Sequence, residues 1–196
     1  VYVANNRLYR RPVADLVSHV IPGTDGDDLT VVSPVFSPDG QWIAYHGTSA
    51  SQSAIRRIPI DGGSPITIVQ AVSPYGMSWD DSGIVYSDGR SGILRVSPNG
   101  GTPEVLVRGD ENHALWGPQL LPGGDAVLFT QVASPRGAPF SLWDNAQVVV
   151  QSLTSAERKT VVDGGVDARY LRSGHPVFAV SGTLVGIAFD PKAQAT

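Results

Sequence analysis

Phe36-Ser37-Pro38-Asp39-Gly40-Gln41-Trp42-Ile43-Ala44-Tyr45 reads as a tight turn feeding an alternating strand. Pro38 presets the φ of the second turn position, the Asp39 side chain can bond its own backbone, and Gly40 takes the positive φ that reverses the chain. Residues 41–45 are then the strand that leaves the turn. Weaker copies return downstream as Asp80-Asp81-Ser82-Gly83, Leu121-Pro122-Gly123-Gly124 and Leu171-Arg172-Ser173-Gly174. The turn glycines Gly40, Gly83, Gly124 and Gly174 are spaced by 43, 41 and 50 residues. That is near the period of a propeller blade, a four-stranded sheet that cannot bury both faces alone and stacks radially on its neighbours.

Within each repeat one order recurs: strand a, the glycine turn, strand b, a variable loop, strand c, a second turn and strand d. In the second full repeat these strands are expected at residues 76–79, 84–87, 92–96 and 104–107, with Asp61-Gly62-Gly63 and Asn99-Gly100-Gly101 as successive c–d turns. The first residues read as b, c and d (1–4, 7–11 and 19–22) and the last as a, b and c (168–171, 176–180 and 183–189). The expected fold is therefore all-β, a propeller of four to five four-stranded blades with incomplete terminal blades. The approximate blades are 1–26 (partial), 27–70, 71–112, 113–166 and 167–196 (partial). The only weakly helical stretch, 15–20, falls where a c–d loop is expected. The third full repeat carries a proline-containing b–c insertion over 131–145.

Composition sets further bounds. The 196 residues are 41% hydrophobic and 16% charged, with 22 Gly and 15 Pro, which is globular and turn-rich. A chain of this size can bury about 70% of the surface its unfolded form exposes. Net charge is −4 and the Lys and Arg are scattered, so no basic stripe for tracking phosphates is present and nucleic acid is not an expected partner. Cysteine is absent, which removes disulfides, thiol nucleophiles and thiolate metal sites. The longest apolar stretch, 176–189, is interrupted by Ser181, Gly182 and Gly186 and is too short to span a bilayer as a helix. The chain opens on Val1 without a charged leader, and both ends read as cut from a longer protein.

The FSPDG turn followed by an alternating strand resembles the TolB-type, WD-like propeller repeat. The run of RLYRRPV (7–13), SPVFSPDGQWIAY (33–45), LRVSPNGGTPEVL (94–106), PQLLPGGDAVLFT (118–130) and ARYLRSGHPVFAVSGTLVGIAFDP (168–191) is also similar to the propeller region of many bacterial serine/threonine protein kinases. That resemblance implies a non-catalytic sensor or interaction module placed outside the cytoplasmic membrane. No kinase phosphate loop, H-R-D or D-F-G motif occurs in the chain. In such repeats the turn residues are structural, so no catalytic residue carries over.

The chemistry-bearing residues give little else. The nearest approach to a serine nucleophile elbow, Gly76-Met77-Ser78-Trp79-Asp80, lies in an expected strand. His19, His46, His113 and His175 never fall at metal-ligand spacing, and Asp25, Asp27 and Asp28 lack the ordered series of a calcium loop. No metal or other cofactor is expected. Glycoside chemistry would need two carboxylates at the channel, and the candidates are Asp28, Asp110, Glu111 and Asp167. The loops before strand a and between b and c share one face of a propeller, where residues entering each innermost strand line the channel. Ser33, Tyr75, His113, Trp116 and Asp167 are expected there, with His46 and Arg90 from b–c loops. Together they suit a protein, peptide or small ligand. Trp42 and Trp79 are expected to pack between blades, and for Tyr75 and Trp116 packing between blades stands as the alternative to the channel face. The unfinished terminal blades leave sheet edges through which two copies of the chain could pair.

Overall fold

The computed structural model describes residues 1–26, 29–72, 74–89, 91–133 and 146–191. Eighteen strands among them form five antiparallel sheets in chain order. The first holds β1 (Tyr2–Ala4), β2 (Arg7–Arg10) and β3 (His19–Val20). The second holds β4 (Thr30–Phe36), β5 (Trp42–Thr48), β6 (Ser53–Pro59) and β7 (Ile66–Gln70). The third holds β8 (Pro74–Asp80), β9 (Gly83–Asp88), β10 (Gly92–Val96) and β11 (Glu104–Arg108). The fourth holds β12 (His113–Leu120), β13 (Ala126–Ala133), β14 (Gln147–Ser152) and β15 (Arg158–Asp163), and the last β16 (Val166–Tyr170), β17 (Pro176–Val180) and β18 (Thr183–Gly186). Every sheet is a meander whose strands pair in sequence order. The arrangement is a five-bladed propeller with three-stranded first and last blades. Residues 15–20 supply a bend and the whole of β3, not a helix.

The turn around Pro38 holds together as its residue types dictate. The Gly40 N–H donates to the Ser37 carbonyl at 2.9 Å, the Gln41 N–H to the Asp39 carboxylate at 3.0 Å, and the Trp42 N–H to Ser37 Oγ at 2.9 Å. The hydrogen bond from Ser37 Oγ, and after it the one from the Gln41 N–H, hold the Asp39 carboxyl below its ordinary pKa. The same closing bond joins Gly124 to Leu121 and Gly174 to Leu171, each at 3.0 Å. The Asp80-Asp81-Ser82-Gly83 copy differs, because Asp80 pairs directly with Gly83 in a two-residue hairpin and accepts the Ser82 N–H at 2.8 Å.

The b strands show how a blade is buried. Residues 43–47 of β5 and 84–87 of β9 are all buried. Alternation here therefore sorts side chains between two neighbouring sheets, not between core and water. Ile43 and Tyr45 join Leu8, Ile21 and Val31 on the side of the first sheet, while Ala44 joins Met77, Ile84 and Tyr86 on the other. Val85 meets Leu115, Val127 and Phe129, and Leu128 meets Ala168 and Phe178. Four such inter-blade cores form, and each fully buried Leu, Ile or Phe contributes about 1.5–3 kcal/mol of transfer free energy.

Candidate functional site

The four innermost strands β4, β8, β12 and β16 share one irregularity. Their pairing registers shift between Val32 and Val35, Pro74 and Met77, Trp116 and Gln119, and Val166 and Arg169. At each shift one residue takes the left-handed region: Ser33 at φ 53°, Gly76 at 86°, Gly117 at 55° and Asp167 at 50°. A bulge bends its strand and re-aims the neighbouring side chains. Aligned on these four residues, the preceding positions are Val32, Tyr75, Trp116 and Val166, so Tyr75 and Trp116 occupy equivalent places on adjacent blades. Their rings stack with centroids 4.5 Å apart and 15° between planes. The stack depends on close backbone approach, since a Cβ added to Gly76 would stand 3.0 Å from the Gly117 backbone.

The bulges enclose a cavity of about 410 Å³ at the channel mouth. Tyr75 and Trp116 form one wall, and Ser33, Pro34, Val35 and Val166 contribute others. Asp167 and Arg169 supply its charges. Arg169 Nη2 donates to Asp167 Oδ1 at 3.0 Å, and Nη1 reaches the Met77 carbonyl at 3.4 Å. The guanidinium of the last blade thus bonds the third, crossing the channel between them. The Asp167 N–H donates to the buried Thr130 hydroxyl at 3.0 Å, which fixes the bulge that presents the carboxylate. Gln119 holds the adjacent blade in register by donating to the Tyr170 carbonyl at 3.2 Å and accepting its N–H at 2.8 Å.

Of the residues expected at this face, Ser33, Tyr75, Trp116 and Asp167 line the one cavity. His113 begins β12 but turns its Nδ1 to the Asp110 carboxylate, at 2.8 and 2.9 Å. Burial raises the Asp110 pKa, yet bonds from the Asn112 N–H and the His113 ring outweigh it and hold the carboxyl below its usual value. His46 lies inside β5 instead of the following loop. It is buried, with Nε2 2.8 Å from Ser53 Oγ. The Ser53 hydroxyl proton goes to the Ala71 carbonyl at 2.7 Å, so Ser53 accepts from His46, and burial pushes the His46 pKa down. Arg90, Asp27, Asp28 and, beyond residue 133, the insertion over 131–145 lie outside the described residues. Ser78 stands in β8 as a strand residue.

The sequence reading missed Arg169 and the bulges. The dipeptides Tyr75-Gly76 and Trp116-Gly117, at equivalent points of two repeats, were the signal available. A second cavity of about 600 Å³ opens at the end of the channel formed by the a–b turns, and Trp79, Tyr170 and Arg172 border it. Trp79 packs against the core between the second and third blades, as expected, whereas Trp42 is half-buried under the Arg57 guanidinium, 4.6 Å from its ring centre. Among the described residues no three His, Asp or Glu side chains gather to hold a metal ion. Asp167 is the one carboxylate among the residues lining the channel-mouth cavity, and it is already paired.

No family model matches the sequence, and no curated protein is similar enough in sequence to match. Solved structures do match in shape. A putative TolB from Agrobacterium tumefaciens superposes with a TM-score of 0.71 at 21% identity over 90% of this chain and 63% of its own. TolB from Acinetobacter baumannii gives 0.70 at 16% identity, over 93% and 46%. An oligogalacturonate lyase in complex with manganese gives 0.64 at 12% identity, over 95% and 60%. The chain spans less than two thirds of the length of each of these proteins. At such identities the likeness concerns architecture. The chain has the TolB-like β-propeller fold.

Proposed function

We propose that this propeller is a non-catalytic binding module, a segment of a larger sensor or scaffold protein, that takes a peptide or a small ligand at its channel mouth. One observation carries the reading: the stacked Tyr75 and Trp116 rings present an apolar wall to a cavity whose lining holds a single carboxylate, already engaged by Arg169. Rigid aromatic walls bind with little loss of conformational entropy. Acid–base hydrolysis of a glycan requires two carboxylates facing one bond, so Asp167 alone does not support it. TolB and an oligogalacturonate lyase share the architecture, and the fold itself therefore leaves binding and catalysis equally open. An extracytoplasmic placement accords with the kinase-propeller resemblance, and self-association through the three-stranded terminal blades belongs to the same reading.

The test is a mixed peptide library passed over the immobilised protein beside Trp116→Ala. Loss of the captured peptides from the variant, with its unfolding transition intact, is the expected result. Peptides retained equally by both proteins, or steady turnover of a polysaccharide by the wild type, would refute the reading.

A further inference from the structure

Arg169 lines the channel-mouth cavity. Its two observed bonds use one proton of Nη1 and one of Nη2, and the longer of them, to the Met77 carbonyl, is weak at 3.4 Å. A guanidinium carries five N–H donors in a planar fork, so the rest of that fork has no partner among the described residues. The side chain is 37% exposed, whereas its partner Asp167 is 69% exposed at the rim. Water therefore screens the Asp167 carboxylate more than it screens the guanidinium. Tyr75 and Trp116 line the same cavity.

We propose that the cavity is built for a carboxylate borne on a planar or apolar group: the carboxylate takes the unused edge of the Arg169 fork while the attached group packs against the side of the Tyr75–Trp116 stack that lines the cavity. The proposal rests on the binding reading above and narrows it to one ligand chemistry. A peptide C-terminus and a small organic acid share that chemistry. Asp167 then acts as a positioning residue, holding the guanidinium across the channel through Oδ1. Its own place is fixed by the Thr130 hydroxyl.

Isothermal titration of the full chain with indole-3-acetate, indole-3-acetamide and tryptamine compares an anion, a neutral isostere and a cation on one ring system. Gly-Gly-Trp with a free or an amidated C-terminus forms the second arm, and the tighter of the two acids identifies the source. One charge-assisted hydrogen bond to the carboxylate predicts that each acid binds about tenfold tighter than its amide, an advantage that shrinks as salt is raised. Arg169→Gln should abolish the difference between acid and amide while leaving amide affinity in place, and Trp116→Ala should weaken both. If Arg169→Gln fails to fold, the acid-to-amide ratio in the wild type and in Arg169→Lys decides. Equal binding of acid and amide, both lost in Trp116→Ala, overturns the carboxylate assignment and leaves the binding reading standing, and tighter binding of tryptamine does the same. Binding of none of these probes overturns the carboxylate assignment, and the library capture with Trp116→Ala decides the binding reading on its own.

Discussion

Asp167 and Ser33 hold φ values of 50° and 53°, a backbone state that costs an L-residue on the order of 1–3 kcal/mol. Glycine occupies the equivalent places in the other two blades, so the two non-glycine residues are the exceptions. Ser33→Gly should therefore raise unfolding free energy by about 1 kcal/mol, read from a denaturant midpoint at unchanged slope. Gly117→Ala should lower it by about 1–3 kcal/mol, because an added Cβ would carry the strain and stand 3.0 Å from Asp167 Oδ1. His46 makes a pH prediction. Burial depresses its pKa below the model-peptide value of 6.5, so the unfolded chain binds more protons than the folded one as the pH drops through 6.5. Stability contributed by neutral His46 is full above that pH and is lost toward the lower folded-state pKa. A stability profile from pH 7.5 to 5 should slope downward in the wild type and flatten in His46→Gln.

The turn built on Ser37, Pro38, Asp39 and Gly40 is where sequence and element correspond most directly, because each residue acts through bonds to near neighbours. Ser37 Oγ accepts the Trp42 N–H at 2.9 Å and lies 2.5 Å from Asp39 Oδ1, so Ser37→Ala should cost about 1–2 kcal/mol by stranding that N–H. Strand boundaries were legible for the same local reason. The expected 92–96 and 176–180 coincide with β10 and β17, and 84–87 lies within β9, short of its observed ends. The candidate site was legible only in part. Ser33, Tyr75, Trp116 and Asp167 follow from the rule that residues entering strand a face the channel. His46 does not, because β5 runs on to Thr48 and carries it into the core. Arg169 was out of reach, since its bond to the Met77 carbonyl joins residues 92 apart in sequence and exists only once the blades are set around the channel.

For the whole molecule, the inter-blade cores tie consecutive sheets together, while the first and last sheets each have three strands. All four residues of β18 are exposed, and Leu184 stands 77% accessible. An exposed strand edge with an apolar side chain is a template for another chain. Sedimentation over a hundredfold range of protein concentration should show the mass rising toward a dimer, and Leu184→Lys should return it to the monomer. A concentration-independent monomer would remove self-association from the proposal.

On the proposed reading, the channel mouth is the place where this propeller meets its ligand. Backbone amide shifts recorded by NMR at ligand saturation locate that place without assuming what the ligand is. The changes should centre on Ser33, Tyr75, Gly76, Trp116, Gly117 and Arg169, and fade toward the outer strands β7, β11 and β15. Changes centred instead on the a–b turns around Trp79 and Arg172, or on β18, would contradict it.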